Sequence, residues 1–257
     1  ALDWQSPETD VRSMMKQEIH SLTSSLGLHT SSLVVGGALS NFRVQPMVSS
    51  TTHDLLGMEL LFGRRVDFSN PAVMLEVDIA ALKAAQLLSK VYDGKVRVHC
   101  NVEITSLINL DWVVEMCQRI GEGMVIEIVE RNDILGDSYG LRSVREICEG
   151  IKGLGGKVAL DDVSGSEIER RLIDSIRPDV LKANDAKGLS FISELDTGAI
   201  VVAEHIESQT IARQAMILGA SELQGYWCDV LKERELPYGM MAPGVLARNS
   251  AQKAEMH

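Results

Sequence analysis

The sequence predicts an α/β fold, a β/α barrel of eight strands in which the first two strands form a hairpin. Three observations carry that expectation. Eight short apolar, β-branched runs alternate with helix-like segments along the chain. The length of 257 residues matches the roughly 250 residues of a single barrel domain. Only residues 50–54 separate the first two runs, too few for a parallel crossover. An open doubly wound sheet is the alternative arrangement of the same elements.

Taken in order, residues 1–41 precede the alternation and carry DVRSMMKQEIHSLTSSLG, read as an accessory helix closed by a glycine. The strands follow as FRVQPMVS (42–49), LLGMELLFG (55–63), VRVHCNVEI (96–104) and MVIEIVE (124–130). KVALDDV (157–163), DVLKAND (179–185), AIVVAEHI (199–206) and ELQGYW (222–227) complete the set. Helical spacing of apolar residues predicts helices over roughly 72–92, 107–121, 138–154, 166–176, 207–219 and 232–247. The resulting division is an accessory segment 1–41, a barrel 42–247 and a tail 248–257.

Composition narrows the class of function. With 45% hydrophobic and 24% charged residues the chain can bury a core, and no apolar run approaches the ~18 residues of a membrane span. No basic-then-apolar signal sequence opens the chain, which makes the cytoplasm the expected location and leaves no membrane partner. Cys100, Cys117, Cys148 and Cys228 are far apart and read as reduced packing residues. A net charge of −11 argues against DNA or another polyanion as partner. A small anionic ligand is compatible if metal ions bridge the charges.

In a barrel the strands' C-terminal ends meet at one rim. Here they supply Glu59, Asn101, Glu127, Asp161 with Asp162, Lys182, Glu204 and Gln224. Charged groups inside apolar runs are seldom buried unless paired or bound to metal. Carboxylates gathered at one mouth repel each other, and oxygen donors of this kind suit two Mg²⁺ or Mn²⁺ ions better than zinc. Adjacent Asp161 and Asp162 can serve both ions, the arrangement used for in-line attack on a phosphodiester. Lys182 is then placed to hold the attacking water or help deprotonate it. His99 and His205 are read as hydrogen-bonded structural residues.

The ordered series GMELL (57–61), NVE (101–103), IEIVE (126–130), ALDDVSG (159–165), DVLKAN (179–184), VVAEHIE (201–207) and LQGY (223–226) resembles the EAL-domain family, the cyclic-di-GMP phosphodiesterases. VQPMV (44–48) is similar to that family's first strand. The resemblance spans residues 42–240 and implies a modified TIM (β/α)8 barrel with an antiparallel first strand, in which cyclic di-GMP is linearised to 5′-pGpG with two Mg²⁺ or Mn²⁺ ions. By position it implies Glu59, Asn101, Glu127 and Asp161 around one metal, and Asp161, Asp162 and Glu204 around the other. Lys182 would position the water, Glu207 and Gln224 would support the site, and Gln45 would approach the guanine. A homodimer is implied by the resemblance alone.

The departures from that pattern keep a second reading open. The signature Glu-Ala-Leu is Glu59-Leu60-Leu61, and Val163-Ser164-Gly165-Ser166-Glu167 replaces the usual Phe-Gly-Thr-Gly loop. Gly63 stands where a phosphate-contacting arginine is expected, leaving the adjacent Arg64, which faces the other way on a strand, as the candidate. Asn184 replaces an aspartate, and His205 a glycine. The alternative is therefore a weak or inactive module serving as a cyclic-di-GMP receptor or a protein-interaction domain. A chain that begins without methionine is read as a fragment, with an N-terminal regulatory domain the expected missing piece.

Overall fold

The computed structural model describes residues 39, 41–64, 67, 69–129 and 138–232. The chain divides into two units, Ala1–Asn41 and Phe42–His257, and every element below belongs to the second. The expected helix in residues 10–27, most of the one expected over 232–247, and the tail lie outside the described residues.

In chain order the elements are β1 (Phe42–Ser49), β2 (Leu55–Phe62), α1 (Pro71–Val91), β3 (Arg97–Glu103), α2 (Ile104–Leu107), α3 (Leu110–Arg119), β4 (Met124–Val129), α4 (Ser138–Gly153), β5 (Lys157–Leu160), α5 (Glu167–Ile176), β6 (Val180–Ala183), α6 (Ala186–Ser193), β7 (Ile200–Ala203), α7 (Gln209–Ile217), β8 (Glu222–Gln224) and α8 (Tyr226–Lys232). The eight strands close into a barrel in sequence order. β1 is antiparallel to both its neighbours, with Gln45 opposite Glu59 on β2 and Met47 opposite Gln224 on β8. All other pairs are parallel. The short turn after β1 forces the hairpin, and each later crossover has a helix to carry it.

Side chains alternate faces along a strand, so each strand serves two cores. One set, with Leu60, Cys100, Ile126, Leu160 and Leu181, is buried on the opposite face from the site residues, as are Leu82, Trp112, Cys148 and Ile173 of the helices. The other set points into the barrel, where Met47, Val125, Ala159, Val180 and Val202 form one buried cluster with Ile200 packed against it. These are the residues two positions from the rim on five different strands.

Helix starts follow local chemistry. Asn70 caps α1 by accepting from the Ala72 amide, with Pro71 at the first helical position. Asn109 caps α3 by accepting from the Asp111 amide, so the helix expected over 107–121 begins at Leu110, and the short α2 precedes it at the end of β3. Asp185 caps α6, a short helix that the apolar spacing did not reveal. β8 ends at Gln224 and α8 begins two residues later, earlier than the expected strand through 227. Among the described residues no helix is long and apolar enough to cross a membrane.

Candidate metal centre

The site grows directly out of the inner layer. Two residues beyond Val125, Ala159, Val180 and Val202 stand Glu127, Asp161, Lys182 and Glu204, placed on the same inward face by the two-residue period. Gln45 is reached by the same step backwards from Met47, because β1 runs the other way. Glu59 and Asn101 enter from β2 and β3, and Asn101 pairs in register with Glu127. Backbone bonds continue the ladder past the strand ends: the Asp161 amide donates to the Ile128 carbonyl (3.3 Å) and the Glu204 amide to that of Ala183 (2.8 Å). The carboxylates are thus fixed by main chain rather than carried on loose loops.

At the centre lies the fully buried Lys182. Its Nζ donates to Glu59 Oε2 at 3.0 Å and, over a shorter distance, to Glu127 Oε1. It also pairs with Asp161 Oδ1 at 3.2 Å and Glu204 Oε1 at 3.0 Å. Burial alone would pull the ammonium's pKa down, but the surrounding carboxylates, Glu127 foremost, outweigh it and hold it well above its ordinary value. Burial and the neighbouring Glu59 push Glu127 well above the usual carboxyl range, against the pull of Lys182. Burial pushes Glu204 up to about 8, again opposed by Lys182.

Amides orient this cluster. Asn101 Nδ2 donates to Glu59 Oε1 (2.7 Å), while Gln224 Nε2 donates to Glu59 Oε2 (2.6 Å) and to Gln45 Oε1 (3.0 Å). With its donor spent on Glu59, the buried Asn101 Oδ1 has no hydrogen-bond partner. An orphaned carbonyl oxygen beside carboxylates is what a hard cation would satisfy. Oxygens of Asp161, Asp162 and Glu204 lie within 4.8 Å of one another, a second oxygen-only group. The oxygen-only donor set therefore fits a hard divalent cation.

Asp162 is exposed, adopts a left-handed φ of 54°, and accepts from Asn184 Nδ2 at 2.6 Å. The following loop is packed closely: Val163 N donates to the Lys182 carbonyl (2.9 Å), and a Cβ on Gly188 of α6 would meet the Val163 oxygen at 2.1 Å. Ser166 and Glu169 form a capping box, and Glu169 also accepts from the Ser164 amide and hydroxyl. A cavity of about 320 Å³ runs from Glu59, Asn101, Asp161 and Asp162 along Phe42, Phe62, Met74 and Val77.

Glu59, Asn101, Glu127, Asp161, Lys182, Glu204, Gln224 and Gln45 are thus brought together, with Asp162 at the edge. Glu207 and Arg64 are exposed, and neither takes part in this network. His99, read from the sequence as a hydrogen-bonded structural residue without a named partner, is completely buried with Nδ1 3.0 Å from Glu127 Oε2. Its signal was available: it is an imidazole in the inner layer that four neighbouring strands, β4 to β7, fill with apolar side chains.

No protein-family model matches the chain, and no curated protein sequence does. Solved structures match its fold. An EAL-domain protein from Listeria monocytogenes EGD-e superposes with a TM-score of 0.61 at 20% identity, covering 80% of this chain and 98% of that one. The Bacillus subtilis YkuI protein, which has an EAL domain and holds c-di-GMP and calcium, gives 0.60 at 21% identity over 80% of this chain and 62% of that one. The PaMucR phosphodiesterase in complex with c-di-GMP gives 0.60 at 15% identity, over 72% and 92%. The closed eight-stranded barrel with antiparallel β1 is the fold of these EAL-domain structures.

Proposed function

We propose that this chain is an EAL-type module that binds cyclic di-GMP and, with two Mg²⁺ or Mn²⁺ ions, hydrolyses it to 5′-pGpG. The observation that carries this reading is the ring of Glu59, Glu127, Asp161 and Glu204 around Lys182 at the C-terminal mouth of the barrel. Glu59, Asn101, Glu127 and Asp161 would hold one ion, and Asp161, Asp162 and Glu204 the other. A bound pair of divalent ions supplies Lewis-acid activation of the phosphodiester and of water.

The chain's own residues do the rest. The oxygen of water adds to phosphorus, the P–O3′ bond breaks, and the proton that the water gives up ends on the leaving 3′ oxygen. Lys182, standing among these carboxylates, orients that water and offsets charge on the phosphoryl oxygens. Gln224 fixes the Glu59 carboxylate and, through Gln45, the group that would face the guanine. Glu207 and Arg64 would join only if the ligand drew them in. A homodimer belongs to the same proposal.

A receptor without turnover is the second reading, favoured by Gly63 in place of an arginine and by the loop after Asp162, closed on itself through Glu169. Incubating the purified protein with cyclic di-GMP and Mg²⁺ or Mn²⁺, with chromatographic detection of 5′-pGpG, separates the two. Metal-dependent product that is lost in Asp161→Asn and Glu59→Ala is the expected result, with Lys182→Ala lowering rate more than ligand affinity. Tight binding without product would establish the receptor instead. Wild-type turnover in Asp161→Asn would overturn the assignment.

A further inference from the structure

We propose that His99 is a positioning residue for the metal ligand Glu127, an inference that rests on the metal reading above. β3 places Asn101 at the rim and His99 two residues below it, on the same inward face. The equivalent positions on β4, β5, β6 and β7 are Val125, Ala159, Val180 and Val202, which belong to a buried apolar cluster. An imidazole there loses its water and is costly unless it makes a strong bond. His99 makes one: Nδ1 lies 3.0 Å from Glu127 Oε2, while Nε2 is buried with no partner.

The roles of the two ends follow. When Glu127 binds a cation it does so as a carboxylate, whose oxygens only accept, so Nδ1 then carries the proton and donates. With Nε2 unpartnered, the contact through Nδ1 is the bond that the buried ring makes, and it falls on Glu127. With Oε2 tied down to the layer beneath, Oε1 alone faces the centre, where it now meets Lys182. Glu127 is thereby set as a single-oxygen ligand with its rotamer fixed. Hydrogen bonds that orient a metal-binding carboxylate are typically worth roughly ten- to a hundredfold in metal affinity.

The test is Mn²⁺ calorimetry on the whole protein and on His99→Leu, His99→Asn and His99→Gln, each checked for folding by circular dichroism. An asparagine amide nitrogen falls where Nδ1 was, whereas a glutamine amide reaches the position of Nε2. The expected result is a roughly ten- to a hundredfold loss of Mn²⁺ affinity in His99→Leu and His99→Gln, with His99→Asn close to wild type. Should His99→Leu fail to fold, the Asn and Gln pair carries the comparison alone. A residue that merely fills space predicts the reverse order, because glutamine is nearer in volume. Equal affinity in all folded variants, or Gln outperforming Asn, overturns the inference while leaving the metal reading intact. Absence of Mn²⁺ binding by the wild type overturns the metal reading itself, and the inference with it.

Discussion

Lys182 concentrates the energetics of the site in one side chain. Its ammonium is the shared partner of carboxylates from four different strands, with no exposed surface. Replacing it by methionine keeps the volume but leaves those carboxylates mutually repelling in a low-dielectric interior. Removing one partner of a buried ionic group costs about 3 to 5 kcal/mol. Lys182→Met should therefore be destabilised by that amount in urea without divalent ions, and recover part of the loss when Mg²⁺ or Mn²⁺ is added. An unchanged midpoint in both conditions would show that Lys182 does not hold the cluster together. At this scale the sequence named the carboxylates and the lysine, because charged residues inside apolar runs stand out. It read His99 as hydrogen-bonded but named no partner, since a lone histidine carries no sign of that partner until β3 and β4 are laid side by side.

Elements succeed or fail at their junctions. Gly225, between β8 and α8, has φ 145°, and a Cβ there would lie 2.3 Å from the Ile206 nitrogen and 2.7 Å from its oxygen. Ile206 in turn donates to the Gln224 carbonyl and accepts from the Trp227 amide, tying the turn that follows Glu204 to β8. Gly225→Ala should cost on the order of 2 kcal/mol or more. Gly150→Ala, in α4 with open space around it, should instead stabilise by about 0.5 to 1 kcal/mol. Denaturant midpoints of the two variants check the contrast.

α8 also supplies a pH dependence. Burial pushes the Asp229 carboxyl from 3.8 up to about 7, only partly offset by Gln45. Between those values the folded state keeps a proton that the unfolded chain has lost, so rising pH removes stability across that window and no more is lost above it. Asp229→Asn, which mimics the protonated acid, should match the wild type near pH 4 and exceed it increasingly up to pH 7. A constant difference across the range would contradict the shift. Most helices were legible from their apolar spacing. α6 was not, since eight residues containing a glycine give too short a period, and its start is defined by Asp185 bonding to the Gly188 amide.

For the molecule as a whole, a ligand that binds only the folded barrel must stabilise it. At free Mn²⁺ about a hundredfold above its Kd, the linkage is about 2.7 kcal/mol, enough to raise Tm by several degrees. Calorimetric melting with and without Mn²⁺ should show that rise in the wild type and its loss in Asp161→Asn; equal shifts in both would place the metal elsewhere. The sequence by itself determined the strand count, the initial hairpin and the polar residues at the strand ends, because period and composition are local properties that each segment carries alone. Tertiary structure decided which of those residues meet. It put Lys182 among four carboxylates, set Asn101 opposite Glu127, gave His99 its use, and left Glu207 and Arg64 outside the network. Closure of the barrel fixes register between segments up to 179 residues apart, such as Gln224 and Gln45, and no local pattern encodes a distance of that kind.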